Sequence, residues 1–194
     1  MFGFAVWNEK EQTLMLARDF FGIKPVYYAE IDGHFVFASE IKSILAFPGY
    51  ERKVNQKALE QYLSFQYAPL EETFFKGIYK LMPGHMLLYK NGNYEIKTYF
   101  KTKLTPGKWN RKTNMDQLRS QLAEILKDSV KHHMLSDVEV GAFLSGGVDS
   151  GYLASASGAD QAFTVGFDEG DRYSEANKAA KVAEKAGLKH HVKI

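Results

Sequence analysis

The sequence contains no cysteine. This absence excludes disulfide bonds, cysteine-ligated metal sites and a thiol nucleophile. The sequence also shows no secretory signal and no apolar run near the length of a membrane span, and its net charge of +2 is too small to indicate binding to nucleic acid or an anionic membrane. With 45% hydrophobic and 25% charged residues, we expect a cytoplasmic globular protein whose partners are small molecules.

A short glycine-containing segment is the most informative feature that is present. Residues 145–150, Ser-Gly-Gly-Val-Asp-Ser, follow the apolar residues 140–144 and lead into the helix-compatible residues 148–157. This order predicts a strand, a tight loop and a helix. The two glycines let the backbone approach an anion, and the first amides of the helix are unpaired donors at the positive end of its dipole. The pattern therefore predicts a loop that holds phosphate oxygens.

The segment differs from the common phosphate-binding motifs. It lacks the Gly-Lys-Ser/Thr ending of a P-loop and the Gly-x-Gly-x-x-Gly spacing of dinucleotide-binding proteins. A plain glycine turn between a strand and a helix is the alternative interpretation. The strand before, the helix after and the ending Asp149-Ser150 favour a nucleotide. With these features the segment resembles the pyrophosphate loop of the ATP pyrophosphatase superfamily, whose members cleave ATP to AMP and pyrophosphate.

The second half of the chain predicts a doubly wound parallel sheet. An amphipathic helix starts with Thr113 or Asn114 as its cap and runs towards Leu135. After the loop come a strand over 162–167, a helix over 174–186 that ends at Gly187, and a strand over 188–194. Ligands of such sheets lie beyond the carboxyl ends of the strands, which is where the Ser145 loop falls. Three strands bury little core, so we expect this domain to be cut short.

The first half predicts antiparallel structure. Apolar runs flank polar turns three times, which indicates six strands in three hairpins: 2–7 with 13–18, 26–31 with 34–38, and 86–90 with 94–99. Two helices are predicted between them, over 39–46 and 55–66, the second with Asn55 as its cap and Ala58, Leu59, Tyr62 and Leu63 on one face. Residues 101–112 lack periodicity and form a linker, so the predicted domains are 1–100 and 113–194.

Four stretches resemble one family. Residues 17–28, Ala-Arg-Asp-Phe-Phe-Gly-Ile-Lys-Pro-Val-Tyr-Tyr, and residues 35–42, Phe-Val-Phe-Ala-Ser-Glu-Ile-Lys, are similar to the glutaminase domain of glutamine-hydrolysing asparagine synthetases. Residues 136–150 and 163–167 are similar to the start of their synthetase domain. The resemblance runs from end to end of the chain.

The resemblance implies a fold and an activity. It implies the end of an N-terminal-nucleophile domain, an αββα sandwich of the class II glutamine amidotransferases, and then the start of an ATP pyrophosphatase domain. The parent enzyme would be an ATP-dependent ligase that converts aspartate to asparagine with glutamine-derived ammonia, through β-aspartyl-AMP. The family's nucleophile is an N-terminal cysteine, whereas this chain has Met1 and Phe2. We therefore expect a piece from the middle of a longer protein, with no catalytic residue of its own and no activity in isolation.

The resemblance also implies a site for ATP and Mg²⁺. Ser145, Gly146, Gly147 and Ser150 would hold the pyrophosphate end of ATP, and Asp149 would hold magnesium. Adenosine would contact Phe143 or Leu144 and Val165, although a plain core valine is an equal alternative for Val165. The full predicted nucleotide site comprises Phe143, Leu144, Ser145, Gly146, Gly147, Val148, Asp149, Ser150 and Val165.

Other candidate residues are interpreted as structural. Arg18 and Asp19 are expected to form an ion pair that stabilises a turn beside Gly22. The aromatic side chains Tyr27, Tyr28, Phe35 and Phe37 are expected in the sheet and its core. The pairs His132-His133 and His190-His191 cannot each converge on one metal ion, because neighbours on a helix or strand point in different directions.

Two alternative functions stay open on the sequence alone. A related enzyme could form another amide or a β-lactam ring, since the residues that choose the acceptor are not identified. The chain could instead be a non-catalytic fragment that forms homodimers or binds a partner through exposed sheet edges.

Overall fold

The chain folds into two compact units. A computed structural model describes residues 1–103, 114–168 and 174–194. Unit 1 is Met1–Thr105 and unit 2 is Pro106–Ile194. Of the predicted linker 101–112, residues 104–112 lie outside the described residues, and Thr113, one of the two predicted helix caps, does as well. Over the described parts of the chain, no helix combines the length and the apolar character needed to cross a membrane.

Over residues 1–103, unit 1 forms seven strands and two helices. In chain order they are β1 Gly3–Asn8, β2 Thr13–Arg18, β3 Tyr27–Ile31, β4 His34–Ala38, α1 Ile41–Leu45, α2 Gln56–Phe65, β5 Ile78–Lys80, β6 His85–Lys90 and β7 Asn93–Thr98. The three predicted hairpins are present. Asp32-Gly33 and Asn91-Gly92 both have positive φ angles, as a two-residue turn between right-twisted strands requires.

The strands of unit 1 form two antiparallel sheets rather than one. One sheet has the order β1-β2-β6-β7 and the other has the order β4-β3-β5. The sequence analysis missed β5, because three residues are too few to show an alternating pattern. This short strand pairs with β3, placing Tyr79 opposite Tyr28, and so completes the second sheet.

The core of unit 1 lies between and behind these sheets. A cluster of large buried side chains joins strands of both sheets: Leu16, Val26, Tyr28, Leu81 and Leu87. A second cluster packs the three-stranded sheet against α1: Ala29, Ile31, Ile44 and Ile78. The layers are therefore sheet, sheet and helix. The second helical layer of the expected αββα sandwich is not found in the described part of unit 1.

Helix α2 differs from the sequence prediction in its cap and in its apolar face. Asn55 precedes α2, but its side chain makes no capping hydrogen bond within the described residues. On the predicted apolar face of α2, Ala58 is buried while Tyr62 and Leu63 are exposed. Among the aromatic residues predicted for the core, Tyr28 is buried and stacks on Phe35.

Backbone hydrogen bonds to Asp19 hold the turn after β2. Asp19 is 3% exposed, and its carboxylate accepts backbone N–H groups at 2.9–3.2 Å from Phe2, Phe21, Ile23 and Lys24. Burial by itself raises the pKa of this carboxyl, but the four N–H donors favour the ionised form and lower the pKa to about 2.

Arg18 supports the same turn from its other side. Its guanidinium donates to the carbonyl oxygens of Gly22, Lys24 and Leu81 at 2.8–2.9 Å. The predicted ion pair between Arg18 and Asp19 is not found among the described residues. Both side chains instead bind backbone groups, because the turn leaves amides and carbonyls without partners from a sheet or helix.

The residues of unit 2 that the structure describes form three strands and three helices. They are α3 Met115–His133, β8 Ala142–Phe143, α4 Val148–Ser157, β9 Gln161–Val165, α5 Ala176–Ala186 and β10 Lys189–Lys193. The prediction of α4 is confirmed residue for residue. The prediction of α3 is confirmed as well, with Asn114 as its cap. Of the strand predicted over 140–144, only the two residues of β8 form a strand in the structure.

The strands of unit 2 form a parallel sheet with the order β10-β9-β8. Ala162 and Thr164 of β9 are buried, whereas Phe163 and Val165 are exposed on the opposite face. The buried cluster beneath α4 and α5 consists mainly of small residues: Leu144, Ala154, Ala162, Ala179 and Ala183. Because the strand order is sequential, right-handed connections put both helices on one face. The expected doubly wound arrangement is not found in the described part of unit 2.

Candidate functional site

The Ser145 loop lies between the end of β8 and the start of α4, and close packing requires its first glycine. Gly146 has a φ angle of +78°, which favours glycine. A Cβ atom added to Gly146 would lie 2.7 Å from the Cβ of Lys178 and 2.9 Å from the backbone nitrogen of Ala179. The loop therefore rests directly on the first turn of α5.

Two hydroxyl groups close the loop onto the first turn of α4. The Oγ atoms of Ser145 and Ser150 are 2.9 Å apart. The backbone N–H of Ser145 donates to Ser150 Oγ at 3.3 Å, and Ser150 Oγ donates to the Gly147 carbonyl at 3.2 Å. These contacts hold both ends of the loop in one geometry without a charged side chain at its centre.

The N-terminus of α4 differs from that of α3 in its capping. Asn114 caps α3 by accepting the backbone N–H groups of Asp116 and Gln117 at 3.0 and 3.3 Å. Gly147 occupies the same position at α4, and no side-chain cap is found there within the described residues. The first amides of α4 thus remain available, at the positive end of the helix dipole, to an acceptor from outside the chain.

An open cleft of about 300 Å³ adjoins the loop at the carboxyl ends of β8 and β9. Its lining residues are Phe143, Leu144, Ser145, Ser150, Phe163, Val165, Phe167 and Glu175. Five predicted site residues are therefore brought together around one cleft. Among them Val165 is 63% exposed, so it is not the plain core valine that the sequence left as an alternative.

Three lining residues were missed by sequence analysis. Phe163 shares the exposed face of β9 with Val165, which strand alternation could have indicated. Phe167 follows the same strand by two residues. Glu175 precedes α5, and no pattern in the sequence connects it with the Ser145 loop. The approach of α5 to the loop, which brings Glu175 to the cleft, depends on tertiary packing.

The remaining predicted residues lie on the other side of the loop or in α4. Gly146, Gly147 and Val148 line a second depression of about 520 Å³, together with Gly151, Tyr152, Ser155, Val182, Lys185 and Ala186. Asp149 is exposed in the first turn of α4. The predicted residues are therefore divided between two depressions, one on each side of the loop.

The donor chemistry near the loop fits magnesium only in the presence of phosphate. In the described residues, no group of three or more His, Cys, Asp or Glu side chains could hold a metal ion. Magnesium in nucleotide sites commonly takes one or two carboxylates, and phosphate oxygens and water complete its shell. Asp149, exposed beside an uncapped helix terminus, matches that partial donor set.

The histidine pairs bind the protein's own groups. His132 and His133 contact the carbonyl oxygens of Asp128 and Ser129 at 2.8 Å. On β10 the two histidines diverge. His190 contacts Thr164 Oγ1 at 2.7 Å, whereas His191 contacts Gln161 at 3.0 Å and stacks on Phe163.

Comparison with known proteins divides the chain into two family regions. Residues 1–100 match the family model described as glutamine amidotransferase domain, and residues 121–194 match the one described as asparagine synthase. The first match covers the antiparallel sheets, and the second covers most of α3, the Ser145 loop and the parallel sheet.

Individual relatives carry both regions. Over 199 residues the chain is 37% identical to the glutamine-hydrolyzing asparagine synthetase 1 of Bacillus subtilis. This match covers 100% of this chain and 30% of that relative. Over 204 residues it is 35% identical to a putative glutamine-hydrolyzing asparagine synthetase of Mycobacterium tuberculosis, covering 100% of this chain and 31% of that relative. The chain thus spans about a third of the length of these relatives. By both domain matches and by similarity along its whole length, the chain belongs to the family of glutamine-hydrolysing asparagine synthetases.

Proposed function

We propose that unit 2 carries part of the ATP site of an enzyme that converts aspartate to asparagine. The observation that supports this most directly is the Ser145 loop, where a glycine pressed against α5 precedes an uncapped helix N-terminus beside an open cleft. The cleft would take the adenosine of ATP, and the loop would take the phosphates. The names of the relatives support asparagine as the product and the hydrolysis of glutamine.

The proposed chemistry requires a good leaving group on the aspartate side chain. The side-chain carboxylate attacks the α-phosphorus of ATP, a new C–O–P linkage forms, and pyrophosphate leaves. Ammonia then attacks the side-chain carboxyl carbon of β-aspartyl-AMP, the C–O bond to AMP breaks, and the nitrogen loses one proton, which gives asparagine. Negative charge builds on the departing pyrophosphate, so donors aimed at that position lower the barrier.

The residues of this chain have separate roles in the proposal. The backbone amides at Gly146 and Val148 bind the phosphate oxygens, while Ser150 and Ser145, which accepts the Gly147 N–H at 3.5 Å, hold the loop closed. The ring of Phe143 and main-chain groups at Val165 contact adenosine, whereas Leu144 is 2% exposed and both of its main-chain groups are hydrogen-bonded within the sheet. Asp149 would hold magnesium, which when bound neutralises charge on the phosphates.

Unit 1 belongs to the ammonia-producing half of the proposed enzyme. Its match to the glutamine amidotransferase domain supports this assignment. The chain has no cysteine, and the family nucleophile is a cysteine, so we propose that these residues alone do not hydrolyse glutamine. The structural roles of Arg18 and Asp19 in the turn after β2 agree with a scaffold rather than a reaction centre.

Calorimetric titration with Mg-ATP tests the proposed site. We expect the wild-type chain to bind and Asp149→Ala to bind at least about tenfold more weakly, because a phosphate-bound cation loses its carboxylate. Asp137→Ala is the matched control, since Asp137 is an exposed carboxylate elsewhere in unit 2. Absence of binding by the wild type, or equal binding by all three proteins, would contradict the proposal.

A further inference from the structure

A hydrogen-bond chain crosses all three strands of the parallel sheet and ends at the Ser145 loop. Thr164 on β9 is 5% exposed. Its Oγ1 atom lies 2.6 Å from the Leu144 carbonyl oxygen at the end of β8. The same Oγ1 atom lies 2.7 Å from Nε2 of His190 on β10. Leu144 immediately precedes the loop, so His190 is connected to the loop through one hydroxyl group.

The direction of each hydrogen bond follows from the available protons. A carbonyl oxygen cannot donate, so the Thr164 hydroxyl donates to Leu144. That hydroxyl has one proton, which leaves only an acceptor lone pair facing His190. His190 therefore donates from Nε2. In its neutral form the imidazole is the Nε2–H tautomer, a state assigned by its partners.

These hydrogen bonds orient the peptide group that enters the loop. The Leu144 carbonyl accepts from Thr164, and the N–H of Ser145, in the same planar peptide, donates to Ser150 Oγ. The backbone N–H of Leu144 also donates to the Phe163 carbonyl at 2.9 Å. Groups on β9 and α4 thus hold both sides of the Leu144–Ser145 peptide, and its orientation sets the direction of the loop amides.

We infer that His190 is a positioning residue for the phosphate-binding loop, acting through Thr164. His190 contacts neither the loop nor the cleft, and its Nε2–H group keeps the Thr164 hydroxyl directed towards the Leu144 carbonyl. This inference rests on the proposed function, in which the Ser145 loop binds the phosphates of ATP. His191 does not share this role, since it lies on the opposite face of β10 and contacts Gln161.

Substitutions at His190 test the inference by comparing two ligands, Mg-ATP and adenosine. We expect His190→Leu to weaken Mg-ATP binding about five- to tenfold, as the loss of one well-placed hydrogen bond would. Adenosine affinity should change less than about twofold, because the proposed adenosine contacts, Phe143 and Val165, lie outside this hydrogen-bond chain. His190→Gln, which keeps an N–H donor, should restore most of the Mg-ATP affinity. His133→Leu, an exposed histidine of α3, is the control and should bind both ligands normally.

A double-mutant cycle separates positioning from a general loss of stability. Thr164→Val removes the hydroxyl at nearly constant shape, and adding His190→Leu to it should cause little further loss of Mg-ATP affinity, since both substitutions break one chain. Additive losses, or equal losses for adenosine and Mg-ATP, would overturn the inference.

An ¹⁵N spectrum of the imidazoles should show His190 as the Nε2–H tautomer, and an Nδ1–H tautomer would also overturn the inference. If the wild type binds adenosine but not Mg-ATP, the proposed function itself fails, whatever the tautomer.

Discussion

Two glycine-containing turns, one in each unit, use their polar groups in opposite ways. At the turn after β2, the Asp19 carboxylate accepts hydrogen bonds from four backbone N–H groups, and the Arg18 guanidinium donates to three carbonyl oxygens. At the Ser145 loop, two hydroxyls bind each other and the helix amides have no side-chain cap. The first turn satisfies its own backbone, whereas among the described residues no side chain caps the first amides of α4.

The largest expected effect is on the stability of unit 1. Asp19→Asn places an NH₂ group against backbone N–H donors, so we expect the free energy of unfolding to fall by about 3 kcal/mol. Urea denaturation followed by circular dichroism measures the loss. Asp32→Asn is the control, because Asp32 is exposed at a hairpin turn, and it should change stability by no more than about 0.5 kcal/mol. Equal stabilities of the two variants would show that the Asp19 contacts contribute little.

The stability of unit 1 should depend on pH for the same reason. The folded-state pKa of Asp19 is about 2, below its ordinary value, so ionised Asp19 stabilises the folded state. This contribution is complete above about pH 4 and is lost as the pH falls towards 2, and it amounts to about 2 kcal/mol. Urea midpoints between pH 5 and 2 should fall more steeply for the wild type than for Asp19→Asn. Parallel curves would contradict the low pKa.

The next effect is on ligand affinity in unit 2. Gly146→Ala must move the loop away from Ala179, so we expect Mg-ATP to bind at least about tenfold more weakly. Gly158→Ala is the matched control. Gly158 also has a positive φ angle, of +68°, but an added Cβ meets nothing within 4 Å. It should cost about 1 kcal/mol of stability without changing affinity. Unchanged affinity in Gly146→Ala would separate the loop from phosphate binding.

The smallest effect concerns the capped helix that serves as a contrast to α4. Asn114→Ala removes the acceptor for two amides of α3, so we expect a loss of about 1 kcal/mol in the unfolding free energy of unit 2. Mg-ATP affinity should stay within about twofold of the wild type. Thermal unfolding and calorimetry measure the two quantities. A large loss of affinity would mean that α3 contributes to the site.

The contrast between the two turns also shows where sequence reasoning was incomplete. Residues 18 and 19 were predicted to pair with each other, because opposite charges adjacent in sequence suggest an ion pair. Their actual partners include Phe2 and Leu81, which are distant in the chain. Likewise Glu175 was not predicted for the cleft, since its position depends on how α5 packs against the Ser145 loop. Backbone partners and lining residues of this kind carry no local signal.

The sequence by itself determined the local elements of this protein. Apolar alternation, Asp-Gly and Asn-Gly turns and helix periodicity predicted the three hairpins, α3 and α4, because these signals act between near neighbours. The motif at residues 145–150 located the candidate loop in the same way. Tertiary structure alone decided the division of unit 1 into two sheets, the single helical layer found in the described part of unit 2, and the connection from His190 to the loop. Those features depend on side chains brought together from distant strands, which packing of the whole domain selects.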